Sequence, residues 1–271
     1  MILISLIVST LLVSCGSGTE KSTTVNFKVG TPEIAITLPK EKEEYQNRPF
    51  DIAAVLQNNM AYDISNVKVS LLGLDERYID LFSNEESVDL LEGKSVFNSD
   101  GGKEIIKFNG LIKEILPGAE QEQQNYRIYV SYNSKIEFTP TICISPELYG
   151  EVYQGGCEVK PELFFSGQGA PLAVSELKLA SGEASLRMTI VNKGKGTVKK
   201  VTLGRATLGG KPITCEFRGN DPKVFTFGTE KEAQLLCSQI IQSESSYQTA
   251  LFVELFYDYE LNEKGTMTIL K

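Results

Sequence analysis

The sequence predicts an all-β chain: two antiparallel β-sandwiches in tandem, carried behind a short cleavable leader. Three observations lead there. Apolar and polar residues alternate with period two over most of the 271 residues, in runs rich in Val, Ile, Phe and Tyr. The runs are short, broken by Asn, Gly and Pro about every 8–12 residues, and no apolar stripe of helical period replaces them. The chain opens on an apolar segment too short to span a bilayer, and polar residues follow it at once. The length is also a prior for two bodies of ordinary domain size.

The leader comes first. Ile2 to Val13 is apolar except for Ser5, Ser9 and Thr10. A spanning helix needs about 20 such residues, whereas a secretory apolar region needs roughly 7–15. No Lys or Arg precedes Ile2, which departs from the usual positive start of such a leader. The run ends Leu12-Val13-Ser14-Cys15, with Gly16 next. This stretch resembles the signal of bacterial-type lipoproteins, some of which also occur in archaea. The resemblance implies cleavage before Cys15 and acylation of its thiol. The competing reading is a buried strand with a chance cysteine. Residues 1–14 are thus expected as signal peptide, and 15–30 as a lipidated cysteine with a flexible tether, GSGTEKSTT. Several acyl chains, at about 0.8 kcal/mol per buried CH₂, would hold the chain on a membrane.

The first sandwich is expected over 31–145. Ile34, Ile36 and Leu38 share one strand face; so do Phe50, Ile52, Ala54 and Leu56, and then Val67, Val69 and Leu71. KEIIKFNGL, YRIYVSY and IEFTPTICI follow, with Asn133-Ser134 read as a hairpin turn between the last two. The acidic stretch 73–99 is less regular and reads as a short helix or a long loop. Residues 146–170 are Pro- and Gly-rich and read as a junction. The second sandwich, 171–271, shows seven or eight short strands, including EASLRMTIVN, the turn NKGKGT, the long YQTALFVELFYDY and a final GTMTIL. That spacing argues for a sandwich of the immunoglobulin-like kind.

PLAVSELKLASGEASLRMTIVNKGKGTVKKV resembles the opening of CARDB-like domains, a family named for cell adhesion in bacteria. The matching positions are Leu172 to Leu177, then Asn192, Gly194 and Gly196. The glycines suit a tight turn with positive φ. FDIAAVLQNNMAYDISNVKVSL resembles the same strand-turn-strand element more loosely. The resemblance implies an extracellular sandwich and brings no catalytic residues.

With Cys15 set aside, Cys143, Cys157, Cys215 and Cys237 remain. Four cysteines in an exported chain suggest two disulfides in one of three connectivities. Cys143–Cys157 with Cys215–Cys237 is the local choice and keeps each bond within one body. A four-thiolate metal site needs close pairs, which these spacings do not supply. The absence of Trp and the short spacing set Cys215–Cys237 apart from the inter-sheet bond of antibody domains.

Composition limits the function. The net charge of −8, without a dense Lys/Arg block, argues against nucleic acid. The chain has no His, the usual general base and commonest transition-metal ligand, and no Trp, a favoured sugar platform. The carboxylates of 75–89 lack the EF-hand spacing and read as a solvated acidic loop rather than a calcium site. The lysines at 193, 195, 199 and 200 read as a charged hairpin tip. Ser175-x-x-Lys178 falls on a strand, where it cannot act as an acyl-enzyme pair. Tyr126 and Tyr132 on one strand, and Tyr247, Tyr257 and Tyr259 on another, read as core. Phe252 and Phe256 fall on the opposite face and mark a candidate interface. The expectation is therefore an exported, lipid-anchored surface protein that binds another envelope protein, non-catalytic, with no cofactor or metal. Carbohydrate or cell-wall binding, and a subunit role in an envelope complex, are the alternatives.

Overall fold

The computed structural model of the chain describes residues 26–145, 156–180, 184–239 and 246–271. Cys15, the leader and most of the expected tether lie outside the described residues. Every regular element among the described residues is a strand. In chain order these are β1 (Ile34–Thr37), β2 (Lys42–Tyr45), β3 (Pro49–Asn58), β4 (Ile64–Leu72), β5 (Ile79–Leu81), β6 (Glu85–Leu91), β7 (Lys103–Ile112), β8 (Gln121–Phe138) and β9 (Thr141–Ile144). Then follow β10 (Glu162–Phe164), β11 (Leu172–Ala180), β12 (Ala184–Asn192), β13 (Thr197–Leu208), β14 (Lys211–Pro212), β15 (Thr214–Phe217), β16 (Val224–Thr226), β17 (Glu232–Gln239) and β18 (Tyr247–Leu270).

These strands make three sheets. The order β1-β3-β7-β5 forms a four-stranded sheet from the first half, and β10-β11-β12-β17-β15 a five-stranded sheet from the second half and its approach. The third sheet draws on both halves. Its path is β14-β13-β18-β8-β4-β6, with β16 added on β13, and β2 and β9 on β18. The spine is β8 against β18, antiparallel and in register from Phe138↔Val253 to Gln121↔Leu270. The halves expected at 31–145 and 171–271 thus share one sheet, and their buried residues form one continuous cluster.

Side-chain alternation decides which face of that sheet is covered. Tyr126, Ile128, Val130, Tyr132, Ile136 and Phe138 of β8 are buried, as are Leu251, Val253, Leu255, Tyr257 and Tyr259 of β18. Register puts Tyr132 opposite Tyr259 and Ile136 opposite Leu255, so both sets point the same way. The two smaller sheets cover this face. Phe50, Ile52, Ala54 and Leu56 of β3 enter the same core, as do Leu186, Met188 and Ile190 of β12. Each of these side chains except Ala54 contributes roughly 1.5–3 kcal/mol by leaving water. The opposite face of the large sheet is wet.

Three local expectations are corrected. Asn133-Ser134 is not a turn: β8 runs straight through it. The alternation keeps its phase there, with Ser134 inward, its hydroxyl donating to the Asp63 carbonyl (2.9 Å), and Asn133 outward. YQTALFVELFYDY and GTMTIL are one strand, because β8 gives β18 a partner along its whole C-terminal run. The stretch 73–99 holds no helix. It contains β5 and β6, drawn in by the buried Tyr78, Ile79 and Leu91.

Two disulfides are present, Cys143–Cys157 and Cys215–Cys237. The second joins β15 to β17 at directly paired positions within one sheet, so it does not bridge two sheets. Loops of 14 and 22 residues correspond to about 3 kcal/mol each in the chain-entropy view. Such bonds fit an oxidising compartment outside the cytoplasm. Of the junction expected at 146–170, residues 146–155 lie outside the described residues. The rest is held down: Gln168 bridges to Gly30 and exchanges hydrogen bonds with Val174 (2.8 and 3.1 Å), and Phe165 stands edge-on to Phe138. Among the described residues no helix is long and apolar enough to cross a membrane.

Candidate functional site on the open sheet face

The open face of the large sheet carries Phe252 and Phe256, since their neighbours Leu251, Val253, Leu255 and Tyr257 all point into the core. The two rings have different surroundings. The Arg205 guanidinium lies over the Phe252 ring, 4.7 Å from its centroid, and the ring is half-buried. Phe256 is 45% exposed and lines a groove of about 340 Å³. Leu90, 53% exposed, lines it too, together with Asp63, Ser65, Asn133, Lys135, Lys200 and Asp258. Phe252 is not part of this lining, so the apolar feature is one ring and one leucine set among charges.

Two polar ladders flank Phe256. In the first, the Asn66 amide donates to Asn133 Oδ1 (2.9 Å), and Asn133 donates to Asp258 Oδ1 (2.6 Å). Lys200 closes it on Asp258 Oδ2 (3.4 Å). That row crosses β4, β8, β18 and β13. Asn66 reaches it from a bulge in β4 where its φ is +51°, a left-handed conformation that Asn tolerates better than most residues. In the second ladder Lys135 bridges Glu137 and Glu254, both at 3.0 Å, and Glu137 also meets Lys28 at 2.6 Å. The Lys28 ammonium holds the Glu137 carboxyl below the usual carboxylate range. Cross-strand pairs of this kind contribute about 0.2–1 kcal/mol each. Their larger effect is to hold charges of both signs in fixed places around an exposed ring.

The other residues singled out in the sequence fall elsewhere. Tyr126, Tyr132, Tyr257 and Tyr259 are buried, so none of these four offers a platform to a sugar, whereas Tyr247, expected in the same core, is exposed at the start of β18 where the strand has only begun to be covered. Tyr132 and Tyr257 both donate to the sulfur of buried Met60 (3.7 and 3.5 Å). Burial pushes both hydroxyls up, and pushes Tyr62 up to about 12. Asp75 is taken up by Arg77, and Glu85 by Lys68. Among the described residues, no three His, Cys, Asp or Glu side chains gather around a common point. Ser175 donates to the Thr189 carbonyl, while Lys178 pairs with Glu162 and Glu176. Lys199 and Lys200 pair with Glu260 and Asp258.

The turn at 192–196 is built differently from the expected positive-φ hairpin. Neither Gly194 nor Gly196 has positive φ. A Cβ on Gly194 would instead collide with the Tyr259 hydroxyl, and one on Gly196 with the Glu260 carbonyl. Tyr259 accepts from the Gly196 amide (2.8 Å) and donates to Glu33 Oε2 (2.8 Å), which also accepts from the Lys195 amide (3.0 Å). Glycine is needed here because Tyr259 and the Glu260 carbonyl of β18 lie against the turn, with the Glu33 carboxylate of the first half also close to Gly194. Leu90, Asn66 and the ladders were not readable beforehand, since they depend on strands far apart in sequence becoming neighbours.

No family model and no curated protein matches the chain. Solved structures with some likeness include the secreted serine protease VesC from Vibrio cholerae, at 9% identity and a TM-score of 0.24, over 81% of this chain and 49% of that one. The E. coli chaperone DraB is another, at 11% identity and a TM-score of 0.22, over 82% of this chain and 97% of that one. The chain spans about half the length of the VesC structure. At these scores the likenesses carry no argument about fold or function.

Proposed function

We propose that this is an exported, lipid-anchored, non-catalytic binding protein of the cell envelope, and that it engages another protein through the open face of its large sheet. The observation that carries the reading is the groove at Phe256 and Leu90, with charges of both signs held in ladders around it. β13, β18, β8, β4 and β6 lie abreast over a width of roughly 19 Å, and the β8–β18 pair runs about 60 Å. That exceeds the roughly 800 Å² each partner contributes to a stable protein interface. An exposed aromatic among polar rim groups is how energetic anchors of interfaces are commonly set. The anchor is proposed at Cys15, from its lipoprotein-like context; the immunoglobulin-like, CARDB-like character of the sandwiches belongs to the same proposal. The lack of His and the engagement of Asp75 and Glu85 with Arg77 and Lys68 support a non-catalytic role.

A photo-reactive residue in place of Phe256, in cells that make the chain, tests this directly. The expected result is a discrete protein adduct from position 256 and none from Leu236, an exposed residue on the outer side of the five-stranded sheet. Phe256→Ser should lower the on-face adduct formed from a reporter at Leu90. Equal labelling from 236 and 256, or labelling of lipid or glycan alone, would overturn the surface assignment.

A further inference from the structure

Between β6 and β7 the chain makes a loop whose tip is Val96-Phe97. Phe97 is 97% exposed and Val96 69%, and Phe97 is the most exposed large apolar side chain among the described residues. The loop is nonetheless well held. Ser95 and Asn98 exchange backbone hydrogen bonds across the tip (2.9 and 3.2 Å), and the Ser95 hydroxyl accepts from the Phe97 and Asn98 amides (3.3 and 3.1 Å). At its base Lys94 donates to the Met60 carbonyl (2.7 Å), Gly93 to Asp63 Oδ1 (2.7 Å) and Gly102 to the Glu92 carbonyl (2.8 Å). A pre-organised loop that shows two apolar side chains to water has given up their burial without gaining flexibility.

Its position suggests what covers it. Met60, which holds Lys94, begins the turn from β3 to β4. The next residue, Ala61, donates to the Gly169 carbonyl (2.8 Å), and Gly169 lies against the backbone of Phe27 and Lys28. The Lys28 ammonium sits over the Tyr62 ring at 5.4 Å. The amino-terminal end of the described chain and the Phe97 loop therefore meet at one turn, at one end of the sandwich. Cys15 precedes Asn26 by eleven residues, a length that reaches at most about 40 Å. A lipid on Cys15 would hold this end of the molecule toward the bilayer.

We infer that the Val96-Phe97 tip seats in the headgroup layer of the membrane to which the chain is tethered, and so fixes the orientation of the open sheet face. The inference rests on the lipid-anchored reading. Phe is among the side chains that segments lying on a membrane bury at the boundary of headgroups and acyl chains. Two side chains are too few to bring a free protein to a membrane, but the tether makes their insertion an intramolecular step at high effective concentration.

The chain contains no Trp, so one introduced tryptophan is a unique reporter. The full chain is purified from membranes as Phe97→Trp and, separately, as Phe82→Trp, and each is reconstituted into pure phosphatidylcholine/phosphatidylglycerol vesicles with and without brominated lipid. Phe82 is 74% exposed and sits by Asn109, about 20 Å along β7 from the base of the loop. The emission of Phe97→Trp should shift to the blue and be quenched by bromine, while that of Phe82→Trp should do neither. Flotation and the mass of the Cys15 peptide report on anchoring separately. Floating, acylated Phe97→Trp protein with unshifted emission overturns the tip assignment and leaves the anchor standing. Equal shifts in the two variants overturn the fixed orientation. A shift seen only in native membranes, and not in pure lipid, assigns the tip to a protein and overturns the inference. An unacylated Cys15 in protein that does not float removes both readings.

Discussion

The turn at 192–196 and the loop at 92–102 are both glycine-rich, and both are held by hydrogen bonds from distant parts of the chain, yet they end in opposite places. The first is clamped by Tyr259 and the Glu260 carbonyl of its own half, which fill the space its glycines leave, and by Glu33 of the other half, which Tyr259 holds against it. The second is clamped only at its base, by Asn58, Met60 and Asp63, and it lifts Phe97 clear of the protein. Glycine thus serves close approach in both, but the rigidity of one turn joins two halves and that of the other displays a ring. Changes at the clamps should cost stability, and changes at the displayed tip should not.

The largest effect is expected at the base of the display loop. Gly101 has φ of +76°, and a Cβ there would collide with the backbone carbonyl oxygen of buried Asn58. That carbonyl cannot yield easily, because the Asn58 side chain donates to the Tyr62 and Leu91 carbonyls, both at 3.0 Å. Gly101→Ala should therefore cost more than about 3 kcal/mol, combining backbone strain with overpacking. Urea unfolding checks this. A loss below about 1 kcal/mol, within the range of ordinary substitutions, would mean that the base is not the clamp described.

Part of this contrast is legible in the residues alone, and the reasons are specific. Tyr126 to Phe138 keeps one phase of alternation, which is the true sign of a single strand. The Asn133-Ser134 pair carries turn chemistry, a local signal that competes with the phase and here misleads. The core positions of β3, β4 and β8 are legible because burial on one face of a strand shows in period two. The pairing of β8 with β18 is not, because its partners stand more than a hundred residues apart and strand patterns do not name their neighbours. Parity places Phe252 and Phe256 on the outer face, but only the neighbours Arg205 and Leu90 separate a capped ring from an open one. Asn192, Gly194 and Gly196 are legible as a turn, while the need for glycine comes from Glu33 and Tyr259, far away in sequence. Phe97 gives no signal of its own, because one Val-Phe pair between Ser and Asn looks like any loop.

A smaller effect is expected where the halves meet. Tyr259→Phe leaves the Gly196 amide and the Glu33 carboxylate each short of a partner, for a loss of roughly 1–3 kcal/mol. Glu33→Gln in the same background tests the shared network. If the two losses simply add, Tyr259 and Glu33 do not act through one hydrogen bond.

The alkaline limb of stability should report the same region. Burial raises the hydroxyls of Tyr62, Tyr132, Tyr257 and Tyr259, with Tyr62 at about 12. The unfolded chain ionises its tyrosines near pH 10, before the folded chain does. It therefore releases protons first, and stability that is complete below pH 10 falls as pH rises through the folded values. Unfolding free energies measured from pH 8 to 12 should decline above about 10, and less steeply in Tyr259→Phe, which removes one of the titrating groups. A flat profile would mean that these hydroxyls reach water more freely than the packing shows.

The smallest effect is expected at the displayed tip itself. Phe97 is 97% exposed, so Phe97→Ser removes almost no apolar area from the folded core and should change stability by less than about 0.5 kcal/mol. The backbone bonds between Ser95 and Asn98 do not involve its ring, so the loop should keep its shape. Equal urea midpoints and slopes for the variant and the parent are the expected readout. A loss above about 1 kcal/mol would mean that the ring packs against the fold in solution, and the contrast between a clamped turn and a displaying one would fail at its defining residue. Near-neutral stability together with altered behaviour on vesicles would instead place the cost of exposing Phe97 outside the fold, in an environment the folded chain meets only at the membrane.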